Sequence, residues 1–255
     1  MNFFLRVIKF KKFSPYMNMA IDEYLLLNNK SESIVLRFYG WEPPSISIGT
    51  FQEIEELNFD YIKEKKIPVV RRPTGGKGVY HDNELTYSII IPSKHPMNKI
   101  NVIDSYKMLS MVFIKSLEKF GIKGELTKKF GTKDSFCFST QNYYEVSVNG
   151  KKIIGSAQRR KKEGILQQGS IPMTIDYEEV KNIFKITKNY GFSSLKELNK
   201  NLEIEDLQDE LIKNFILFFD SDYKIIDLTD YEFKEAKKIF IKKYSLDSWN
   251  LKGIC

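Results

Sequence analysis

Two alternating runs meet at a tight turn in residues 143–155, which have the sequence YYEVSVNGKKIIG. Asn149 and Gly150 form the residue pair that a two-residue β-hairpin turn prefers, and the length of the turn sets the register of the strands. The expected cross-strand pairs are Val148 with Lys151, Ser147 with Lys152 and Val146 with Ile153. The stretch therefore predicts two neighbouring antiparallel strands.

Lys152 is the residue of this hairpin that can carry chemistry. Alternation along the strands puts Lys152 on one face with Ser147 and Glu145, and puts Val146, Val148 and Ile153 on the other. The lysine can then point into a polar site rather than into the core. The alternative is an ordinary surface lysine, because lysines are seldom buried.

The rest of the chain predicts a mixture of strands and helices. Ser14 and Pro15 are typical of an N-cap and a first helical position, and a second helix is expected at about residues 101–120. Further strands are predicted at residues 33–39, 45–48, 68–71 and 85–91. These elements indicate an α+β fold, with a mixed, largely antiparallel sheet and flanking helices. We expect a single catalytic domain over residues 1–255 with a helical C-terminal third, because no linker or repeat divides the chain.

Composition excludes several classes of protein. The chain has 255 residues, 42% of them hydrophobic, which is too apolar for a disordered chain and gives enough material for a core. No apolar run approaches the roughly 18 residues of a membrane helix, and the start of the chain resembles a strand rather than a signal peptide. We therefore expect a cytoplasmic protein without a membrane partner. The net charge of +7 suits an acidic partner, but no basic and aromatic stripe indicates nucleic acid.

The few cysteines and histidines argue against a metal centre or a disulfide framework. Cys137 and Cys255 are the two cysteines, and His81 and His95 have no spacing that would bind a metal. Cys137 lies between two phenylalanines, which is typical of a buried small residue. The alternative is a nucleophile, which would need a nearby cation to favour the thiolate, and Lys152 could supply it. His95 is expected in an exposed loop.

A basic loop rich in glycine covers residues 71–81, with the sequence RRPTGGKGVYH. Glycines allow backbone N–H groups to approach an anionic or polar ligand, and the arginines and the lysine would supply charge. A solvated hairpin loop is the alternative. The loop is not a Walker phosphate-binding loop, because it lacks the Gly-Lys-Ser/Thr ending.

These segments together resemble the biotin/lipoate protein ligase superfamily, in its lipoyl-attachment branch. The motifs that carry the resemblance are NMAIDE (18–23), RFYGW (37–41), SIGTFQ (47–52), RRPTGG (71–76), GKKIIGSAQ (150–158) and KYSLDSWN (243–250). The resemblance implies a fold similar to the catalytic core of class II tRNA synthetases and of biotin protein ligases. It also implies that Lys152 reaches the acyl carbonyl. The residues it assigns to acyl and substrate binding are Arg72, Thr74, Gly75, Gly76, Gly78, Val79, His81, Gly155, Ser156 and Ala157.

Within this superfamily the chain is most similar to the octanoyltransferases that use a cysteine instead of ATP. Residues 81–88 resemble their continuation after the glycine loop, Cys137 falls where they carry the acyl-accepting cysteine, and about 100 residues after Lys152 leave little room for an accessory ligase domain. Gln168 departs from the pattern, because a histidine is expected there. The resemblance makes Cys137 and Lys152 the expected catalytic residues, with no cofactor.

The function implied is transfer of an octanoyl group from acyl carrier protein, through a thioester on Cys137, to a lysine of a lipoyl domain. The acceptor would be a glycine cleavage H protein or the E2 subunit of a 2-oxoacid dehydrogenase. The alternatives are an ATP-dependent lipoate protein ligase, which would use ATP and magnesium, an amidotransferase between lipoyl domains, and a catalytically silent carrier-protein binder.

Overall fold

A computed structural model of the chain describes residues 3–29, 33–127, 145–186 and 191–254. Cys137 and Cys255 lie outside the described residues. The strands are β1 (Phe4–Phe13), β2 (Ser33–Trp41), β3 (Ser45–Ile48), β4 (Val69–Arg71), β5 (Val79–His81), β6 (Glu84–Pro92), β7 (Glu125–Leu126), β8 (Val146–Val148), β9 (Lys151–Lys161), β10 (Gly164–Pro172) and β11 (Tyr223–Ile225). The α-helices are α1 (Pro15–Asn28), α2 (Phe59–Glu64), α3 (Val102–Glu118), α4 (Tyr177–Phe184), α5 (Leu195–Leu198), α6 (Ile204–Phe219), α7 (Asp230–Ile239) and α8 (Asp247–Asn250).

The strands form one large sheet and one small sheet. The large sheet has the order β11-β1-β2-β6-β10-β9-β8-β7, and the small one has the order β4-β3-β5. In the large sheet β1 runs parallel to both its neighbours, and the other described pairs are antiparallel. The predicted α+β fold with a mixed, largely antiparallel sheet is confirmed.

Helix α1 begins where the sequence predicts. The Ser14 hydroxyl accepts a hydrogen bond from the Met17 N–H at 3.3 Å, and Pro15 occupies the first turn, where its missing N–H costs nothing. The helix packs on one face of the large sheet, where Ile21 and Leu25 meet Ile90. That face also holds the polar residues described below, so α1 helps to enclose them.

The opposite face of the large sheet carries the main core. Tyr87 and Ile89 of β6 pack there against Phe113 of α3 and Phe215 of α6. All four side chains are almost fully buried. Burial of this apolar surface is the principal stabilisation of the sheet, and it leaves the face toward α1 available for a site.

The C-terminal part is mainly helical, with one strand that the sequence did not indicate. Helices α4 to α8 follow Tyr177, and the short β11 pairs with β1 at the edge of the large sheet. Near the end, the Trp249 indole N–H donates to the Arg71 carbonyl at 2.9 Å, which attaches α8 to β4 beside the glycine loop. Within the described ranges, every helix is too short or too polar to cross a bilayer.

Candidate active site

A cleft lies between the two sheets. Strands β2, β6, β9 and β10 form its floor, and residues of β3, of β5 and of the glycine loop cover it. Of the predicted site residues, the cleft is lined by Arg72, Val79, His81, Gly155, Ser156 and Ala157. The other lining residues are Met19, Tyr39, Trp41, Ser47, Thr86, Gln168, Gly169 and Ser170.

Lys152 is completely buried, so it is not a surface lysine. Its Nζ lies 2.7 Å from Oε1 of Glu145, which is also buried. Its backbone N–H donates to the Gly191 carbonyl at 2.9 Å, and its carbonyl accepts from the Ser193 N–H at 2.9 Å. Both backbone bonds hold Lys152 against residues 191–193, and its charge has a charged partner, as a buried ammonium requires.

The register of the hairpin differs from the prediction at one pair. Ser147 pairs with Lys152 as expected, but Val146 pairs with Ile154 instead of Ile153. Ile153 is therefore an extra residue, a β-bulge, and such bulges re-aim side chains next to active sites.

The bulge decides which way Lys152 points. Opposed residues of antiparallel strands share a face and successive residues alternate. Ile154 lies on the face of its partner Val146, so Lys152 and Gly155 both lie on the opposite face. In an unbroken strand, Lys152 and Gly155 would face opposite ways. The bulge places the lysine on the cleft face.

Arg72 shapes the glycine loop from within. One guanidinium nitrogen donates to the Ser47 carbonyl and hydroxyl at 3.1 Å each, and the other donates to the carbonyls of Gly75 at 2.6 Å and Lys77 at 2.8 Å. Gly76 has a φ of +86°, which favours glycine. The hydrogen bonds of Arg72 and the positive φ of Gly76 together keep the loop in its conformation over the cleft.

Arg71 has a different role from its neighbour. Its guanidinium donates to carbonyls of two separate segments, Gly49 to Gln52 and Trp249 to Leu251, at 2.6 to 3.3 Å. Burial lowers the pKa of the Arg71 guanidinium, and Glu53 and Glu55 oppose that shift. The prediction that both arginines supply charge to a ligand is wrong for Arg71, which joins the C-terminal segment to the loop.

Thr74 and Gln168 join the loop to the floor of the cleft. The Thr74 hydroxyl donates to Gln168 Oε1 at 2.8 Å, and Gln168 Nε2 donates to Asp22 Oδ2 at 2.8 Å. The buried Asp22 also accepts from Arg37 at 2.7 Å and from Tyr39 at 2.9 Å. Gln168, which stands where a histidine is expected, thus connects the loop to a fully buried carboxylate.

His81 belongs to a second polar network at the β2 side of the cleft. Its Nδ1 lies 2.8 Å from Glu84 Oε1, and its Nε2 lies 2.8 Å from the Ser47 hydroxyl. The ring stacks on the Trp41 indole, with centroids 3.9 Å apart and planes at 10°. The indole N–H donates to the Thr86 hydroxyl at 2.7 Å. Each of these side chains is held in a single orientation by its neighbours.

The remaining predicted residues lie near the cleft or beyond it. The Ser156 hydroxyl bonds that of Tyr87 at 2.7 Å, and burial raises the pKa of Tyr87 to about 12, so this tyrosine stays protonated at neutral pH. Gly78 faces away from the cleft: a Cβ there would lie 2.6 Å from the Phe184 ring. The catalytic prediction for Cys137 falls outside the described residues. In the ranges that the structure covers, no three His, Cys, Asp or Glu side chains are placed to hold a metal ion.

Several lining residues escaped the sequence prediction. Trp41, Ser47 and Thr86 come from three different strands, and no local pattern connects them. The available signal was the resemblance itself, because Trp41 and Ser47 lie within two of its motifs. Polar side chains on otherwise buried strands, such as Ser88 and Gln168, were a further signal.

The large sheet carries a glycine loop over one face and a buried lysine on the same face. This arrangement is that of an enzyme that binds its ligand between two sheets. The chain belongs to the family of the lipoyl protein ligase A/B catalytic domain, whose model matches residues 14–216. The resemblance noted in the sequence is thereby confirmed.

Relatives of similar length extend the match beyond that region. The chain is 36% identical to a protein of Halalkalibacterium halodurans named Octanoyltransferase LipM, over 93% of this chain and 95% of that protein. It is 37% identical to the Octanoyltransferase LipM of Staphylococcus aureus, over 92% of this chain and 94% of the relative.

Solved structures agree on the fold. A lipoate-protein ligase A bound with ATP superposes with a TM-score of 0.86 over 100% of both chains, at 24% sequence identity. The lipoate protein ligase of Thermoplasma acidophilum, described as bipartite, superposes with a TM-score of 0.82 over 100% of this chain and 98% of that one, at 23% identity. At this level of identity the superpositions establish a shared fold.

Proposed function

We propose that the chain is an octanoyltransferase of lipoate biosynthesis, which moves an octanoyl group from acyl carrier protein to a lysine of a lipoyl domain. The observation that carries the proposal is Lys152, a completely buried lysine that the β-bulge places on the same face of the sheet as the cleft. Relatives named octanoyltransferases, which match along almost the whole chain, support the same activity.

The first half of the reaction loads the enzyme. The Cys137 thiolate attacks the thioester carbonyl of the octanoyl donor, a bond forms between the cysteine sulfur and the carbonyl carbon, and the bond to the carrier's sulfur breaks. The carrier leaves as a thiolate and takes up a proton. Because the donor is already a thioester, this step needs no nucleotide and no metal.

The second half transfers the chain. The neutral amine of the acceptor lysine attacks the octanoyl thioester, an amide bond forms, and the bond to the Cys137 sulfur breaks. The proton lost from the nitrogen balances the charge of the departing thiolate. In both halves the Lys152 ammonium, held in place by Glu145, favours the thiolate and stabilises negative charge on the carbonyl oxygen.

The proposed partners are acidic proteins of the cytoplasm. The donor is octanoyl-acyl carrier protein, and the acceptor is the lipoyl domain of a glycine cleavage H protein or of a 2-oxoacid dehydrogenase E2. The net charge of +7 supports steering toward such acidic surfaces.

One assay separates the proposal from its rivals. Purified enzyme and apo lipoyl domain receive octanoyl-acyl carrier protein alone, free octanoate with ATP and magnesium, or an octanoylated lipoyl domain as donor. We expect octanoylation from the carrier protein in nucleotide-free buffer. Strict dependence on ATP would identify a ligase. Exclusive use of the octanoylated lipoyl domain as donor would identify an amidotransferase. The absence of product with every donor would identify a catalytically silent binder.

A second experiment tests the acyl-enzyme. Enzyme incubated with octanoyl-acyl carrier protein without acceptor should gain the mass of one octanoyl group, on the peptide that contains Cys137 and in a form labile to hydroxylamine. Cys137→Ser should abolish turnover or trap a stable ester, whereas the matched variant Cys255→Ser should behave like the wild type. A wild-type rate for Cys137→Ala would end the thioester mechanism.

A further inference from the structure

Helix α7 and the turn that follows it carry a cluster of positive charge. Residues 234–243, with the sequence KEAKKIFIKK, contain five lysines and one glutamate, so this stretch has a net charge of +4, against +7 for the whole chain. Lys234, Lys237 and Lys242 are exposed, and no carboxylate of the described residues lies within 4 Å of their ammonium groups. Much of this charge is therefore not neutralised within the described part of the molecule.

Two other basic stretches of the chain use their charge internally. In residues 6–12, Arg6, Lys9 and Lys11 each form an ion pair with a carboxylate. In residues 159–162, both arginines donate to backbone carbonyls of other segments. The lysines of α7 differ from these groups because they are available to a partner outside the chain.

A groove runs between α7 and α1, and we call it the α7 groove. The residues that line it are Tyr24, Asn28, Tyr231, Glu235, Lys238, Ile239, Lys242 and Lys243. The three lysines all come from the α7 side, and the exposed ring of Tyr231 lies beside them. A groove with apolar and aromatic walls is the kind of surface that receives an amphipathic helix, and the lysines favour a helix that carries acidic residues.

The α7 groove is formed before any partner arrives, because α7 is fixed to the body of the molecule. The Arg6 guanidinium donates to both carboxylate oxygens of Glu232, at 2.6 and 2.8 Å. Ala236 is buried against α1. At the other end, the Tyr244 hydroxyl donates to the Glu23 carboxylate of α1 at 2.6 Å. A surface that is already ordered loses less conformational entropy when it binds a partner.

The groove lies on the same side of the large sheet as the cleft. Helix α1 packs on the face that carries the cleft, and α7 packs on the outer side of α1. Tyr244, next to the groove residue Lys243, packs against Met19 and Tyr39, which line the cleft. A flexible arm that brings a thioester from a protein in this groove therefore does not have to cross the sheet.

We infer that the α7 groove binds an acidic helix of the acyl carrier protein that donates the octanoyl group. The inference rests on the proposed function and names the surface that receives the donor. Opposite charges on two protein surfaces accelerate their encounter and fix their relative orientation. The donor fits this groove better than the acceptor does, because acyl carrier proteins are acidic and helical, whereas lipoyl domains are built from β-strands.

The test compares two octanoyl donors. One is octanoyl-acyl carrier protein, and the other is octanoyl-pantetheine, which has the same thioester without the protein. For Lys238→Glu combined with Lys242→Glu, we expect kcat/KM with the carrier protein to fall about tenfold at low ionic strength. The difference from the wild type should disappear in roughly 1 M salt, where the charges are screened. The kcat/KM with octanoyl-pantetheine should be unchanged.

The matched control places the same change of net charge elsewhere. Lys115→Glu combined with Lys162→Glu alters α3 and the turn between β9 and β10. Lys115 pairs with Glu118 at 2.7 Å, as Lys238 pairs with Glu235 at 2.6 Å, so the surface ion pair that is lost is also matched. The control should keep the wild-type rate with both donors. Equal losses in the two double variants would show that net charge alone acts and would overturn the role of the groove.

A binding measurement keeps the inference separate from the proposed function. Fluorescently labelled holo-acyl carrier protein, without an octanoyl group, is titrated with each enzyme. Weaker binding by the groove variant alone, in an enzyme whose wild type transfers no octanoyl group from either donor, would support the groove and overturn only the transferase. Wild-type affinity together with wild-type kcat/KM in the groove variant would overturn the groove.

Two further outcomes are decisive. A rise confined to the KM for the lipoyl domain would overturn the inference, because the groove would then receive the acceptor. If the double glutamate variant does not fold, Lys238→Gln combined with Lys242→Gln decides by the same two measurements.

Discussion

The site has a charged limit on β9, beside the cleft, and an aromatic limit at β2, within it, and the two are built on different principles. At β9, Lys152 and Glu145 form an ion pair completely removed from water. At β2, the Trp41 ring is fixed because it stacks on His81 and because its indole N–H donates a hydrogen bond to Thr86. The β9 limit therefore depends on a buried pair of charges, and the β2 limit depends on the packing of aromatic rings.

The largest expected effect belongs to Lys152. Removal of one electrostatic group from such a site commonly costs about 10²-fold to 10³-fold in rate. Removal of one partner from a buried ion pair also destabilises a protein by about 3–5 kcal/mol. We therefore expect Lys152→Met combined with Glu145→Gln to fold, as judged by thermal unfolding, but to transfer octanoyl groups at least 10²-fold more slowly.

Lys151 provides the matched control at the adjacent position, because its side chain is exposed. Lys151→Met should keep the wild-type rate. Both lysine variants should keep the wild-type preference for octanoyl over decanoyl donors. Equal losses of rate at the two positions would contradict the face that the bulge assigns to Lys152.

The two consecutive arginines sharpen the comparison further. Arg71→Met leaves several buried carbonyls without a donor, and hydrogen bonds to a charged group are each worth about 1.5–3 kcal/mol. We expect a loss of at least about 3 kcal/mol in the free energy of unfolding, measured by urea denaturation, with chain-length preference unchanged. Arg72→Met should in addition raise KM for the octanoyl donor, since Arg72 lines the cleft. A changed preference in Arg71→Met would count against this division.

A smaller effect is expected between the two limits, where Thr74 joins the glycine loop to Gln168. Thr74→Val removes that hydrogen bond and should cost about 1 kcal/mol in stability. A less firmly held loop should raise KM several-fold for octanoyl and decanoyl donors alike. Thr74→Ser keeps the hydroxyl and serves as the control. A wild-type KM for Thr74→Val, in steady-state kinetics, would contradict the role of this hydrogen bond in holding the loop.

The smallest effect belongs to His95, remote from both limits. The sequence placed it in an exposed loop, but its ring is partly buried between Phe3 and Phe219, and its Nδ1 accepts from the Met97 N–H at 3.2 Å. Burial lowers the pKa of His95 below its ordinary value of 6.5. The folded chain therefore binds fewer protons here than the unfolded chain, so this contribution to stability is present above about pH 6.5 and is lost as the pH falls below that value through the lowered pKa of the folded chain.

His95→Gln should remove that acid sensitivity. We expect the melting temperatures of variant and wild type to converge by about 1–2 °C between pH 7 and pH 5.5. Octanoyl transfer at pH 7 should be unaffected. A Tm difference that stays constant across this pH range would contradict the assignment.

Local patterns anticipated the elements that depend on neighbouring residues. The Ser14 cap, the turn at Asn149 and Gly150, and the apolar strands around Ile34 and Ile89 all appear where the sequence predicts them. Strand β10 and most of β9 were missed, because residues 156–168 are rich in glutamine, arginine and lysine. Tertiary partners make these polar strands possible: Gln168 is buried because Asp22 and Thr74 satisfy its amide.

Residue chemistry and motif order in the sequence alone determined the fold class, the family resemblance and the choice of Lys152 and of the glycine loop as site residues. Those properties depend on short stretches and on their order along the chain. Only the tertiary structure decided that Ile153 forms a bulge, that Arg71 and Arg72 serve different segments, and that Trp41 lines the cleft. These outcomes depend on which strands become neighbours, and strand neighbours are set by the packing of the whole sheet rather than by any local pattern.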